Sequence, residues 1–577
     1  MRLLGSVLLM LASVGAKEKM QPSSQVIFRD TAEFWVPWAK DLSTRDPTRP
    51  IVDIPCFICT SIFNSLVEDL NQGFTTEDII NALIPVCSTF LYEEDICRGI
   101  LEATVLTLGW VLSNHSVNMD HFCAFAIGSS DCTISEDVNS LWTVPIPDVA
   151  KPVTETVVVP EGVPLLKILH FADVHLDLLY EVGSEANCGK PLCCQSTSGP
   201  GLDVLAGIFG AYEPCDTPQN AIDDAFQHIL ATHPDLDMII FTGDIPPHDL
   251  WAQSVESNLA AIAQFYDTMV TYFGDKAVLM GLGNHDPHPC NVFSFAELGE
   301  PAELSTNYIY DDAWENWKHW LPADQEANVR KTGQYSVSPR PGLRVLVFNN
   351  LLGYVNNWMV WSGIPDPNAQ LEWLAGELQL AENAGEKVFL IGHIPPGSRD
   401  LTPVWSHNFN RIVNRYENII KAQFYGHTHW DEFNVFFNEE GLPSNVAYIT
   451  PSLTTYEYLN YGYRIFYVDG AREADSTWAV VDHETWIYQL DEANNEGMTT
   501  WFKAYSMLEE FRMSDLSPTS YASLGASLAT DDVVFDKYYR HYWKNSPVRP
   551  VCDAECRATL ACDSLTSDVS DTSHCVA

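Results

Sequence analysis

Basic residues are scarce. The 577-residue chain carries 31 Lys and Arg against 77 Asp and Glu, a formal net charge of −46. A surface of that sign repels phosphate backbones, which argues against a nucleic-acid binder with a basic face. At neutral pH an anionic membrane repels it as well. Near the sequence pI of about 4.5 that repulsion fades, pointing to an acidic working compartment. Long apolar runs are missing too. Beyond the first residues no stretch reaches the roughly 20 residues a membrane span needs, so the mature chain is expected to be soluble. No tandem repeat is present. No second CxxC stands at a matching distance from Cys56-x-x-Cys59, which argues against structural zinc there.

What is present is a globular composition, 46% hydrophobic and 19% charged. Arg2, the apolar residues 3–11 and the small residues Val14-Gly15-Ala16 read as a secretory signal with cleavage before Lys17. Secretion makes disulfides the default use for the 15 cysteines, and the odd count leaves at least one thiol without an intrachain partner. Asn114-His-Ser116 is a glycosylation sequon.

The rhythm of the chain changes near residue 160. Over 56–132, apolar residues recur at helical spacing, as in Ile58, Ile62, Phe63 and Leu66, and in Ile79, Ile80, Leu83 and Ile84. Residues 143–164 are rich in proline and valine and read as an extended linker. Short apolar runs at 165–172, 238–242, 277–282, 344–348, 387–391 and 423–425 then alternate with amphipathic stretches such as 220–231 and 370–384. Strands alternating with helices indicate an α/β domain with buried sheets. From about residue 500 the chain reads as helical, ending in a cysteine-rich tail.

Several of the apolar runs end in polar clusters of one kind: Asp173-Val-His175, Gly243-Asp244, Gly283-Asn284-His285-Asp286, Gly392-His393 and Gly426-His427-Thr-His429. Asp and His at i and i+2 of a strand project to one face. Imidazole with carboxylate suits zinc, iron or manganese rather than calcium. The ligands are too many for one tetrahedral ion and suit two ions sharing a carboxylate. Singly, each cluster is more often an ordinary turn; the ordered set of five is what carries the signal. This series resembles the calcineurin-like metallophosphoesterase family over roughly 165–470. The resemblance implies that Asp173, His175 and His429 hold one ion, that Asp244 bridges, and that Asn284, His393 and His427 hold the other. It implies that His285 contacts the phosphate and protonates the leaving oxygen. His248, four residues past Asp244, is a candidate phosphate contact, with a supporting or surface histidine as the alternative. Iron-containing relatives place Tyr three residues after the bridging Asp. Here that residue is Pro247, which favours two zinc ions.

Residues 56–132 resemble a saposin-like lipid-binding domain. Its family pairing implies Cys56–Cys132, Cys59–Cys123 and Cys87–Cys97. The architecture as a whole, with Ile391-Gly-His-Ile-Pro-Pro-Gly397, Gln423-Phe-Tyr-Gly-His-Thr-His429 and Val481-Asp-His-Glu-Thr485, resembles the acid sphingomyelinase family. That implies further pairs Cys188–Cys193, Cys194–Cys215, Cys552–Cys556 and Cys562–Cys575, leaving Cys290 over. A family bridge between 349–353 and 398–401 is absent, since neither segment has cysteine, and Asp286 stands where mammalian members carry Glu.

The expected fold is an α/β metallophosphoesterase sandwich, two β-sheets flanked by helices, with an N-terminal all-α saposin-like domain and a helical C-terminal region. The expected divisions are a signal peptide at 1–16, an extension at 17–51, the saposin-like domain at 52–136, the linker at 137–164, the catalytic domain at 165–490 and the C-terminal region at 491–577. The expected activity is hydrolysis of sphingomyelin, in membranes or lipoproteins, to ceramide and phosphocholine by a secreted or lysosomal monomer. Its saposin-like domain would make peripheral membrane contact. The alternatives are a secreted phosphodiesterase acting on nucleotides or other phosphodiesters, or a catalytically inactive lipid-binding protein.

Overall fold

A computed structural model describes residues 55–90, 92–127, 131–132, 142–153 and 157–575. The expected signal peptide and the 17–51 extension lie outside the described residues.

The helical module is built from α1 (Cys56–Asn71), α2 (Thr76–Phe90), α3 (Glu94–Asn114) and the short α4 (Met119–Phe122). Its apolar stripes face two ways. Ile79, Ile80 and Ile84 of α2 pack with Leu101 and Val105 of α3 around Cys87–Cys97. Ile58 and Phe63 of α1, Leu108, Val111 and Leu112 of α3, and Phe122 instead belong to the large core shared with the rest of the chain. By length and composition α3 passes for a membrane-crossing helix, which the sequence reading overlooks. Yet 61% of its apolar window is buried inside the protein, as for a core helix.

Residues 142–153 are extended, but they are not a free tether. They run along α8 (Pro403–Arg415), where the Asn408 side chain pairs with Val144 N–H and Trp142 C=O and Arg415 donates to Val149 C=O. Lys151 pairs with the buried Glu417 carboxylate at 3.1 Å.

Beyond the linker, twelve strands form two six-stranded sheets. The first has the order β12-β11-β10-β1-β2-β3 and the second β4-β5-β6-β7-β9-β8. In the first, β1 (Leu166–Phe171), β2 (Met238–Phe241) and β3 (Val278–Met280) are parallel, registered Ile168 to Met238 and Ile239 to Val278. In the second, β4 is Tyr335–Arg340, and β5 (Leu343–Val347), β6 (Lys387–Ile391), β7 (Ile420–Tyr425) and β9 (Pro443–Ile449) are parallel, with β8 (Glu432–Phe437) antiparallel at the edge. The parallel strands read as continuous apolar runs because both faces are covered. The helices include α5 (Gln219–Thr232), α6 (Val255–Phe273) and α7 (Gln370–Ala384). The first sheet is completed by β10 (Gly462–Val468), β11 (Val480–Ile487) and β12 (Phe502–Ser506), each antiparallel to its neighbour.

β12 corrects the helical reading from residue 500 onward. It is an edge strand paired to β11, with Thr485 opposite Tyr505. Helices follow it: α9 (Pro518–Thr530), α10 (Asp532–Tyr542) and α11 (Ala554–Ser564). All seven disulfides are the pairs implied by the resemblance, and Cys290 is free.

Candidate active site

Parallel strands gather their carboxyl ends on one edge of each sheet, where loops are free to carry ligands. The ends of β1, β2 and β3 face those of β6 and β7, and the five polar clusters meet there. Asp173, His175, Asp244, His427 and His429 all hold left-handed backbone, with φ of 52°, 39°, 67°, 73° and 68°. Such torsions cost non-glycine residues roughly 1–3 kcal/mol each and concentrate at functional sites. Close approach explains two of the glycines. A Cβ on Gly283 would sit 2.1 Å from the Asp244 N and Oδ1, and one on Gly426 would sit 2.6 Å from Asp173 Oδ2.

The hydrogen bonds fix which atoms face the centre. His175 Nδ1 donates to Pro246 C=O at 2.8 Å and His393 Nδ1 donates to Thr242 C=O at 2.7 Å. A carbonyl only accepts, so the neutral rings present bare Nε2 lone pairs inward. His427 is reversed. Its Nε2 donates to Asp400 at 3.0 Å, which turns Nδ1 inward. These lone pairs meet other acceptors rather than donors. His175 Nε2 lies 3.0 Å from His429 Nε2, and Asn284 Oδ1 lies 2.9 Å from His393 Nε2 and 2.8 Å from His427 Nδ1. Asp244 Oδ2 reaches toward both groups, 3.2 Å from His393 Nε2 and 3.8 Å from His175 Nε2. Acceptors crowded against acceptors in a buried site require positive charge between them. Burial pulls the His393 imidazole down, but with no cation beside it the Asp244 carboxylate carries it up to about 9, so a proton would take the Nε2 position that a cation otherwise claims. Divalent cations would supply that charge. Asp173, His175 and His429 form one triad, and Asp244, His393 and His427 another, each with its ligand atoms within 4.8 Å of one another. The donor set fits two divalent cations sharing Asp244.

His248 and His285 sit beside the first triad, and His175, His248 and His285 are themselves grouped within 4.8 Å. His285 follows the Asn284 ligand. Its backbone N–H donates to Asp244 Oδ1 at 2.7 Å, and its Nδ1 faces Pro247 C=O across a long 3.4 Å contact. His248 is locked. Its Nδ1 donates to Asp216 at 2.9 Å, its backbone N–H donates to the other Asp216 oxygen at 2.6 Å, and its ring stacks on Tyr456 at 3.7 Å. Neither Asp216 nor Tyr456 is marked by the sequence reading. Asp216 sits at the end of the disulfide-braced loop and Tyr456 in a turn between sheets, neither beside a strand-end glycine. Asp286 does not face a ligand position. Its carboxylate accepts Ile245 N–H and Gly283 N–H, tying the Asp244 and Asn284 loops together.

A cleft of about 470 Å³ opens between the helical module and the catalytic domain, three residues along the chain from His285. Gly99, Ala103 and Leu106 of α3 line one wall and Trp251, His288 and Tyr308 the other.

Comparison with known proteins agrees with this architecture. The calcineurin-like phosphoesterase family matches residues 166–431, and the acid sphingomyelin phosphodiesterase C-terminal region matches 444–577. The sphingomyelin phosphodiesterase of Bos taurus is 34% identical over 523 residues, covering 89% of this chain and 82% of its own length. That of Homo sapiens is 34% identical, covering 91% and 83%, and sphingomyelin phosphodiesterase 2 of Caenorhabditis elegans is 32% identical, covering 90% and 88%. A metallophosphoesterase fold, a convergent site for divalent metal ions and near-full-length similarity place the chain in the sphingomyelin phosphodiesterase family, as a phosphoric diester hydrolase.

Proposed function

We propose that the protein hydrolyses sphingomyelin to ceramide and phosphocholine, using two zinc ions, in a secreted or lysosomal acidic setting. The observation that carries this reading is the convergence of the seven ligand side chains at the strand ends, in a chain that also carries a helical module with a cleft of about 470 Å³ between it and the catalytic domain.

Four imidazoles, two carboxylates and one amide suit zinc, and Pro247 offers no phenolate for iron(III). Bound at these residues, the ions supply Lewis acidity to the phosphate oxygens and a water acidic enough to attack phosphorus. Everything else falls to the chain. His248 Nε2 and His285 Nε2 turn toward the position the phosphate would take, because each Nδ1 faces an acceptor behind it. The water would lose one proton to solvent as its oxygen bonds to phosphorus, the bond from phosphorus to the ceramide oxygen would break, and His285 would give that leaving oxygen its proton. An alkoxide leaves poorly unless protonated, so this step is worth roughly 10²–10⁴ in rate. Burial pulls the His285 imidazole below its ordinary range, with the Asp244 carboxylate opposing that shift, so an acidic setting favours the protonated form the step needs.

The saposin-like module would draw lipid from the bilayer into the cleft. Joining capture to cleavage in one chain raises the effective concentration of head group at the metals. Seven disulfides and the sequon support passage through a secretory route.

The test is elemental analysis of the purified protein alongside turnover of sphingomyelin vesicles, CDP-choline and ATP by wild type and His285→Ala. The expected result is two zinc per chain, preference for sphingomyelin near pH 5, and large loss in the variant. Preference for the nucleotides would replace the lipid reading, and a metal-free inactive protein that binds vesicles would end the enzymatic one. Equal turnover by both proteins would remove His285 from the acid role.

A further inference from the structure

Lys544 arrives from the C-terminal region, two residues past α10, and only 1% of it is exposed. Its ammonium donates to Ser452 C=O at 3.0 Å, to Ser452 Oγ at 2.7 Å and to Thr454 C=O at 3.4 Å. All three acceptors are neutral. Burying an ammonium without a directly bonded carboxylate is costly. The local backbone adds to that cost, since Lys544 and Asn545 both lie in the left-handed region, at φ of 49° and 58°. A methionine of similar reach would fill the space without either the charge or its desolvation.

The turn that Lys544 grips, residues 452–456, touches the site at several points. Ser452 N–H donates to His429 C=O and Leu453 N–H to Ala172 C=O. The Thr454 hydroxyl donates to Asp216 Oδ1 at 3.3 Å and accepts from Tyr456 N–H at 3.2 Å. Asp216 holds His248 Nδ1, and the Tyr456 ring lies flat on His248, 4° from parallel. The polar connection therefore runs from Lys544 to Thr454, then to Asp216 and to His248, while the stacked face runs through Tyr456. The C-terminal strap is further pinned where Asn460 donates to Lys544 C=O and Ser546 to Tyr458 C=O.

We propose that Lys544 is a positioning residue for hydrolysis: by fixing the 452–456 turn it sets Asp216 and Tyr456, and through them the orientation of the His248 ring. The C-terminal region is thereby a working part of the active site rather than an appendage. This rests on the reading that His248 acts on the phosphate. Misplacing a catalytic group by about 1 Å can cost on the order of 100-fold in rate.

The experiment uses full-length protein and a soluble phosphodiester, bis(p-nitrophenyl) phosphate, so that lipid capture is not read. Lys544→Met, Thr454→Val, His248→Gln and the double variant Lys544→Met/His248→Gln are compared for kcat, KM, bound metal and melting temperature. Lys544→Met is expected to lower kcat about 10- to 100-fold, with KM within about twofold and metal content unchanged. The double variant is expected to be no slower than His248→Gln alone, since the lysine acts only through that ring. Thr454→Val, which leaves the bonds of Lys544 in place, is expected to give a smaller loss of the same kind, and it decides the matter if Lys544→Met does not fold. A Lys544→Met enzyme with wild-type kcat, a loss that multiplies with that of His248→Gln, or a loss that follows departed metal would overturn the relay. A His248→Gln enzyme as fast as wild type would overturn the reading of His248 and the relay with it. A slow His248→Gln enzyme beside a fast Lys544→Met enzyme would overturn the relay alone.

Discussion

The helical module is held by an aromatic contact that a single substitution can weaken from the catalytic side. Phe122, fully buried, meets Phe63 of its own module at 4.8 Å and the catalytic-domain rings of Trp361 at 5.3 Å and Trp358 at 6.2 Å. Trp361 is half-buried and donates its indole N–H to Val355 C=O. Trp361→Ala leaves the module's own core intact and removes one side of the joint. An edge-to-face pair is worth about 0.5–1.5 kcal/mol beyond area, and the apolar area lost adds about 1–2 kcal/mol. Together these weaken docking by about 1.5–3.5 kcal/mol, a factor of roughly 10–300 in the docking equilibrium. Hydrogen exchange of the α3 amides at residues 108–112 should speed by that factor. Turnover of sphingomyelin vesicles should fall more than turnover of bis(p-nitrophenyl) phosphate, which should stay within about twofold because the metal ligands lie elsewhere. Unchanged exchange in α3, or an equal fall on both substrates, would refute the reasoning.

Four further outcomes follow from the geometry. Gly283→Ala places a Cβ 2.1 Å from Asp244 Oδ1 and should strip bound metal at least tenfold by elemental analysis. Gly376→Ala, with nothing within 4 Å on α7, should instead raise stability by about 0.5–1 kcal/mol in denaturant titration. His285→Ala should slow sphingomyelin hydrolysis by about 10²–10⁴ but bis(p-nitrophenyl) phosphate far less, because a nitrophenolate leaves without a proton. Comparable losses on the two substrates would count against the acid role. Burial carries the Glu432 carboxyl up to about 7 from 4.5, with the Asp563 and Asp431 carboxylates adding to the rise. Its folded pKa is raised, so its stabilisation is full below about pH 4.5 and is lost through pH 7, at up to about 1.4 kcal/mol per pH unit. Glu432→Gln should therefore gain stability over wild type as pH rises from 5 to 7.5 in calorimetry, and a difference independent of pH would disprove the assignment.

The strand ends were legible because each announces itself locally, as an apolar run broken by glycine and a polar ligand. The runs at 238–242 and 387–391 are β2 and β6 within a residue, and the helix at 370–384 is α7 as read. The strands that escaped notice, β4 and β8 to β12, lack a continuous apolar run, since polar residues or large aromatics interrupt each of them. In β10, Arg464 is almost fully buried and pairs with Asp431, with Tyr505 of β12 and Thr485 of β11 bonded to the same carboxylate. A buried ion pair of that kind has no periodic signature. The supports of the site were illegible for a related reason. Thr454 meets Asp216 across 238 positions of sequence and Lys544 meets Ser452 across 92. Only the fold makes them neighbours. The disulfide pairing came from resemblance, since spacing alone leaves the connectivity open.

The centre is held by the scaffold and not by cations alone. Six of the seven ligands have a second polar bond that orients them: His175 to Pro246, His393 to Thr242, His427 to Asp400, Asn284 to Asn291, Asp173 to His427 N–H, and Asp244 to His285 N–H. Those bonds let left-handed backbone persist at four of these six ligands, for the strain is shared with the parallel strands behind them. His429 differs. Its Nδ1 is buried without a hydrogen-bond partner, and its ring is steadied by packing against His175 at 4.9 Å. Its backbone C=O, however, accepts from Ser452, the residue whose hydroxyl and carbonyl Lys544 holds. The ligand least tied by its own side chain is thus backed by a main-chain bond from the turn between the two sheets, a bond made by the Ser452 N–H and not by the Lys544 side chain.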